Sequence, residues 1–387
     1  VSGSPGGDIT GPPLTVTFVI ARYPPATGGT EIQAAALARG LRRLGHRVRI
    51  LTQRLPGVEA PAERDVLRLR PAVGGAVASF CFGLRVVADI VSRPPDVVHA
   101  FLLSSPALFA AAGARLAGRP VVIKTGGGGS HSIEATSRAT MAGRLRLGLV
   151  RLLGDRYIAP APSAVDQLKA AGMPGERCLV IPNGVDPERF HAPSPSDAGR
   201  PPTVIFAGRL EPQKEPLTAI RAWARVAARI PGARLAMLGD GLLRPQAMEL
   251  VERLGLAGSV SLAGAIPPDE MPAWFRSGSV VLLPSLGEGL SNALLEAMSS
   301  GLAPVLSDIP EHRWLSQEGA SALLVPPGDE AALADALAGL LLDPRRCAEL
   351  GRMAAERARA FTLDRSVAAH LALYRSLGAG ARAPGRG

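Results

Sequence analysis

The sequence predicts an α/β protein of two doubly wound, Rossmann-like halves, and three observations carry that expectation. Strand-length apolar runs alternate with helical segments along the chain, the cycle restarts after a proline-rich break, and 387 residues are too many for one ordinary core.

The elements follow in order. Residues 14–20 are a continuous apolar run of strand length that leads into the loop ARYPPATGGT. Over residues 31–44, Ile32, Ala35, Leu37, Leu41 and Leu44 suit one buried helical stripe; Gly45 ends it and VRILT starts a second strand. A strand, a helix and a strand in that sequence imply a parallel pair joined by a crossover. DVVHAF and PVVIKT continue the alternation around an Ala-rich segment at 106–117, and CLVIP closes the first half. Residues 191–202, HAPSPSDAGRPP, hold four prolines and no apolar periodicity, which marks a linker. The cycle then restarts with TVIFA, the loop GRLEPQKEP, a helix over about 217–230, and the short strands ARLAMLG, SVSLAG, SVVLLP and LAPVLS. The expected domains are 1–190 and 203–387, with the last helix able to pack back on the first. Ligands of such sheets sit at the carboxyl ends of the strands, so these loops are expected to face a crevice between the halves.

Composition narrows the function. Apolar content of 47% with 20% charged residues fits a globular protein, and no apolar run approaches the roughly 18 residues of a membrane span. Cys81, Cys178 and Cys347 are far apart, odd in number and without metal-ligand spacing, so they are expected to be buried thiols in a reducing compartment. No apolar core marks a secretory signal in the first dozen residues, and the expected location is cytoplasmic. Residues 1–190 hold 23 Lys and Arg against 13 Asp and Glu, while the remainder holds 20 of each, so the net charge of +10 lies in the first half. Either that surface is simply solvated or it meets something anionic, such as phospholipid headgroups or a phosphorylated acceptor. The segment SRATMAGRLRLGLVRLLGDR, with Arg138, Arg144, Arg146, Arg151 and Arg156 among leucines at helical spacing, poses the same alternatives: a packing helix with a basic side, or peripheral attachment to anionic lipid. Aromatic residues are only 4% and no basic, aromatic-interleaved strand is present, which excludes nucleic acid as the expected partner.

The chemistry concentrates in PSLGEGLSNALLEAMSSG. Glu288 and Glu296 are eight positions apart, and at about 100° per residue one helix cannot aim both at a ligand. Glu288 is therefore placed on the loop. With Ser291 or Asn292 as cap, Glu296 falls in the first turns of a helix whose amides can meet a phosphate, and Gly301 stops that helix. In GRLEPQK, Arg209 and Lys214 lie between a strand end and a helix start, where two cations suit a diphosphate. Gly28 and Gly29 allow close backbone approach to a phosphate. No GxGxxG follows the first strand and no GxxxxGK[ST] occurs, which counts against a dinucleotide oxidoreductase and a P-loop NTPase.

Through GGTE with RRLGHRVRILT, DVVHAF, VIPNGVDPERF, FAGRLEPQK, PSLGEGLSNALLEAMSSG and LVPPGDEAAL, in order and spacing, the chain resembles the retaining, GT-B-fold glycosyltransferases of family 4 over nearly its whole length. The resemblance implies a nucleoside-diphosphate-sugar donor as substrate, with no cofactor and no metal. It implies a glycan, lipid-linked or small-molecule acceptor, retention of configuration through front-face attack, and work on cell-envelope polysaccharide at or near the inner membrane face. By the same resemblance Arg209 and Lys214 bind the diphosphate, Glu296 the ribose hydroxyls and Glu288 the transferred hexose. Amides around Gly289, Leu290, Ser291 and Asn292 complete the phosphate cradle, Ala265 and Ile266 lie against the base, and Gly28, Gly29 and Glu31 approach donor and acceptor. One departure stands out. Many relatives have a histidine where this chain has Gly126, followed by Gly127 in KTGGGGSHS, and the role falls to His99, His131, backbone or nothing. A sugar phosphorylase, a nucleotide-sugar epimerase and a non-catalytic nucleotide-sugar-binding subunit are the competing readings.

Overall fold

A computed structural model describes residues 11–26, 28–54, 63–69, 75–126, 140–192 and 202–378. The chain divides into two compact units: the described residues up to Asn183 together with those from Leu363 onward, and Gly184–Thr362. The division thus falls before the proline-rich stretch, most of which lies outside the described residues.

The first unit is a seven-stranded parallel sheet, β1 (Thr15–Val19), β2 (Arg47–Gln53), β3 (Val66–Leu69), β4 (Val97–Phe101), β5 (Val121–Lys124), β6 (Arg156–Ala159) and β7 (Cys178–Val180), in the order β3-β2-β1-β4-β5-β6-β7. Strand β4 shows why its apolar runs are continuous. Val97 and Phe101 pack into the core beneath the Gly29–Arg43 and Leu363–Ser376 helices, while Val98 and Ala100 pack into the opposite core, beneath the helices Gly75–Ser92, Ser105–Leu116 and Met141–Leu153. A strand covered on both faces has no side for polar residues. The last helix, reaching the first unit from the far end of the sequence, supplies Leu363, Val367, Leu371 and Tyr374 to that first core. Val367 lies where a side chain at Gly40 would stand, its Cγ2 only 2.5 Å from that Cβ position, so the two helices touch backbone to side chain.

The second unit is a six-stranded parallel sheet, β8 (Thr203–Ala207), β9 (Arg234–Leu238), β10 (Val260–Gly264), β11 (Val280–Leu283), β12 (Ala303–Ser307) and β13 (Leu323–Val325), in the order β10-β9-β8-β11-β12-β13. The helices Pro216–Arg229 and Glu330–Leu342 cover one face, and Asn292–Ser299 the other. Gly301 ends the Asn292 helix with φ of 80°, its amide bonded to the carbonyl of Met298 and that of Leu302 to Ala297, the paired bonds of a left-handed helix stop.

All three cysteines are free, but only Cys347 is buried. Cys81, on a surface helix, and Cys178, opening the edge strand β7, keep partial exposure, which corrects the expectation of three buried thiols. Among the described residues no helix is long and apolar enough to cross a membrane.

Candidate active site

In the second unit the strand ends bring together residues far apart in sequence. Beyond β8 the chain passes Gly208 and Arg209 into a short turn, Pro212–Lys214, and Glu215, with φ of 52°, starts the Pro216 helix. This turn is laced to the loop after β11: Gln213 donates through its side chain to the carbonyl of Gly287 at 2.6 Å, and its own carbonyl receives the amide of Leu286 at 2.9 Å. The lacing sets the ammonium of Lys214 against Oε1 of Glu288, in an ion pair with both side chains largely buried. Close packing also shapes the turn from the β9 side. A Cβ on Gly239 would stand 2.0 Å from the carbonyl oxygen of Gly208, and one on Gly241 would stand 2.6 Å from that of Leu210.

Glu288 is 6% exposed, and Ser285 Oγ donates to the same Oε1 at 2.7 Å. Burial by itself would raise its carboxyl; the nearby charge of Lys214, with the hydrogen bonds from Lys214 and Ser285, outweighs that and holds it below the usual carboxylate range. Arg209 behaves differently. It is exposed and pairs with Glu211 at 2.6 Å, so the two cations of this turn are each engaged by a carboxylate instead of standing as an open pair.

Glu296 lies one turn inside the Asn292–Ser299 helix, whose N-cap is Ser291, the side chain of which receives the amide of Leu294 at 3.3 Å. Burial pushes the Glu296 carboxyl up to about 8, opposed only partly by Arg189. Arg189 is itself held by the carbonyl of Pro268 and the carboxylate of Asp269, both at 3.0 Å. Leu290 turns its side chain into the core, leaving only its backbone to a ligand. Ala265, exposed, and Ile266, packed on that core, follow the positive-φ Gly264 at the end of β10.

In the first unit, Gly28 is extended, Gly29 opens the Gly29–Arg43 helix, and Glu31 sits in its first turn, 3.9 Å from Arg22. Gly126, just past β5, is exposed beside them: a Cβ there would lie 4.0 Å from Thr30 Oγ1 and 2.8 Å from Leu102 Cδ2. A larger residue at 126 therefore requires Leu102 to move. Gly127 and His131 lie outside the described residues. His99 is not placed to touch a ligand, which corrects its candidacy. It is fully buried, stacked on Phe101 at 4.4 Å between ring centroids, and bonded through Nδ1 to the Tyr374 hydroxyl at 2.6 Å. Burial holds its imidazole well below the ordinary histidine range, with the charges of His370 and Lys124 adding to the effect.

Comparison with known proteins places the chain in a family. The family described as Glycosyl transferases group 1 matches residues 201–343, and Glycosyltransferase Family 4 matches residues 27–189. A phosphatidyl-myo-inositol mannosyltransferase from Mycobacterium leprae (strain TN) is 32% identical over 330 residues, covering 81% of this chain and 84% of the relative. The chain belongs to glycosyltransferase family 4. The D-inositol 3-phosphate glycosyltransferase of Nocardia farcinica (strain IFM 10152) is also 32% identical, over 224 residues, and there the chain spans about half the relative, 49% of its length. HepE from Anabaena, solved in complex with UDP and glucose, shares the fold with a TM-score of 0.77 at 21% identity, over 94% of this chain and 99% of that one.

Some of the residues packed around this candidate site escape sequence reasoning. Ser285, Ser307 and His312 are buried behind Glu288, and Gly239 and Gly241 admit the Gly208 turn. The glycines carry a signal, since LGDG follows a strand at the edge where ligands bind. The serines and the histidine carry none, because the bond that joins them into one chain, from the Ser307 hydroxyl to the Ser285 carbonyl, runs between the ends of two strands 22 residues apart.

Proposed function

We propose that this glycosyltransferase moves a hexose from a nucleoside diphosphate to a hydroxyl of a glycan or lipid-linked acceptor, with retention of configuration and without a metal. The observation that carries the reading is the buried pairing of Lys214 with Glu288 beside the capped start of the Asn292 helix. A departing diphosphate gains negative charge as the glycosidic bond breaks. Lys214, which has donors beyond the one spent on Glu288, supplies fixed positive charge there, and Arg209 supplies more on leaving Glu211. Amides at Gly289 to Asn292 would add donors at a helix N-terminus. Glu288 is the group for the hexose hydroxyls and Glu296 for the ribose, with Ala265 and Ile266 against the base. Gly28, Gly29, Glu31 and Gly126 are the first-unit positions for sugar and acceptor. The names of the relatives support an inositol-containing or lipid-linked acceptor, and the UDP bound by HepE supports a nucleotide sugar as donor.

The test is turnover on a panel of nucleotide sugars. Lys214→Ala and Arg209→Ala are each expected to lower it on the order of a hundredfold, with wild-type activity unchanged by a chelator. Full activity in either variant, or loss of wild-type activity to the chelator, refutes the metal-free scheme. A nucleotide sugar consumed with no glycoside formed instead supports the phosphorylase or epimerase reading.

A second reading concerns the membrane. In the first unit the helices Gly75–Ser92 and Met141–Leu153 both pack on Ser105–Leu116, and each turns an apolar stripe outward: Val77, Phe80 and Leu84 on one, Met141, Leu145 and Leu152 on the other. These three helices carry Arg85, Arg115, Arg144, Arg146 and Arg151 against a single acid, Asp89. Apolar stripes flanked by arginine are suited to the headgroup region of an anionic bilayer, where a lipid-linked acceptor resides.

A further inference from the structure

Behind Glu288 lies a chain of hydrogen bonds whose proton positions follow from groups that can only accept. Nδ1 of His312 is 2.8 Å from the backbone carbonyl of Ser307, so it is Nδ1 that carries the proton. Nε2 is buried with no hydrogen-bond partner and keeps the lone pair of the neutral ring. A protonated Nδ1 cannot accept from the Ser307 hydroxyl, 3.3 Å away, and that hydroxyl donates to the backbone carbonyl of Ser285. The Ser285 hydroxyl in turn donates to Oε1 of Glu288 at 2.7 Å, where Lys214 also donates. Oε2 of Glu288 receives no hydrogen bond from a described residue. Ser285, Ser307 and His312 are each 0–1% exposed, so water does not loosen the chain.

We infer that His312 is a positioning residue for sugar transfer: by fixing Ser307, and through it Ser285, it locks Glu288 with Oε1 engaged and Oε2 presented to a hydroxyl of the hexose. The inference rests on the role of Glu288 given under Proposed function. The Ser307 carbonyl accepts both the His312 ring and the amide of Ile309, at 3.0 Å, so it is held from two sides at the point where β12 gives way to the Pro310–Ser316 helix. Without the ring donor, the Ser307 carbonyl is held from one side only, the backbone that carries the Ser307 hydroxyl can shift, and the hold on Ser285 weakens. Arg209, paired with Glu211, and Glu296, inside the Asn292 helix, lie off this chain of hydrogen bonds.

Asparagine and leucine separate this role from packing. In His312→Asn the amide nitrogen is bonded to Cγ as Nδ1 is, so the donor to Ser307 is kept; in His312→Leu it is lost. With the nucleotide sugar that best stabilises the protein, His312→Leu is expected to lose about tenfold in kcat while UDP or GDP affinity, by calorimetry, stays within about twofold. His312→Asn should recover most of the loss. Ser285→Ala should resemble His312→Leu, and the double variant should lose no more than the worse single, because both act through one chain. Full kcat in Ser285→Ala, multiplicative losses in the double variant, or equal losses of kcat and nucleotide affinity in His312→Leu and His312→Asn would overturn the inference, and Ser285→Ala decides it alone if the histidine variants do not fold. Full turnover in Glu288→Gln would overturn the reading of Glu288 itself, whereas an inactive Glu288→Gln beside a fully active His312→Leu overturns only the role of His312.

Discussion

A carboxyl raised to about 8, as in Glu296, is mostly protonated at neutral pH, the wrong state for accepting two hydroxyl donors. Binding of a ribose diol should pull it toward the ionised form, so nucleoside diphosphate affinity is expected to tighten as pH rises from 6 to 8 by more in wild type than in Glu296→Gln. Calorimetry across that range checks it; parallel pH profiles for the two proteins would show that Glu296 is not the proton-linked contact. The sign for folding runs the other way. The folded-state value lies above the ordinary 4.5, so the stability Glu296 contributes is present at low pH and is lost as pH rises through about 8. Glu288 is the opposite case: its depressed carboxyl contributes stability above its ordinary value of 4.5 that is lost as the medium acidifies below it. Two glutamates in one loop-to-helix run thus have environments that push them apart, a division of labour typical of sites where one carboxylate must stay charged.

At the scale of elements, β5 ends in an oddity. Lys124 is 7% exposed, its ammonium has no ion pair or hydrogen bond among the described residues, and burial brings it down to about 7. A base with a depressed folded-state value makes the protein more stable as pH rises between about 7 and the ordinary 10.5. Lys124→Met is therefore expected to raise the melting temperature at pH 7 and to flatten its dependence on pH from 7 to 10; an unchanged slope would mean the ammonium is solvated after all. Nothing in PVVIKT announces this. The run was legible as a strand, but the absence of a partner for its lysine depends on His99, His370 and Tyr374 arriving from β4 and the last helix. The same limit explains which elements could be read. Strands β1, β2, β4, β5, β8, β9, β11 and β12 are apolar because they are covered on both faces. The half-exposed edge strand β3, the three-residue edge strand β13, and β6, four residues opening on Arg156, carry too little apolar signal. Glu288, Lys214 and the Ser291 cap were legible because local loop and capping chemistry defines them; Ser307 and His312 were not.

Over the whole molecule the charge divides more sharply than a cut at residue 190 suggests. Counting residues 1–183 with 363–387 gives 26 Lys and Arg against 12 Asp and Glu, while residues 184–362 hold 17 against 21. The net charges are +14 and −4, and the basic unit also carries the two outward apolar stripes. Each Lys or Arg near an anionic surface is worth about 1 kcal/mol, so binding to anionic vesicles is expected and should weaken with salt. Co-sedimentation with anionic and neutral vesicles measures it. Equal binding to both, or no loss when Arg144 and Arg151 become Gln and Leu145 and Leu152 become Ser, would leave the face as an ordinary solvated surface.

The last helix joins a core whose other strands and helices precede Asn183. Residues 184–362, with two cores of their own, are expected to fold as a separate fragment and to bind a nucleoside diphosphate. A chain cut after Thr362 should keep that binding while its first unit melts early or aggregates, a difference that calorimetry and limited proteolysis would register. During synthesis the order of emergence and the order of completion therefore part company. The first unit leaves the ribosome before the second but lacks Leu363, Val367, Leu371 and Tyr374 until residues 184–362 have been made, and in that interval its sheet is without the side chains that complete its core. The domain made first is the one finished last.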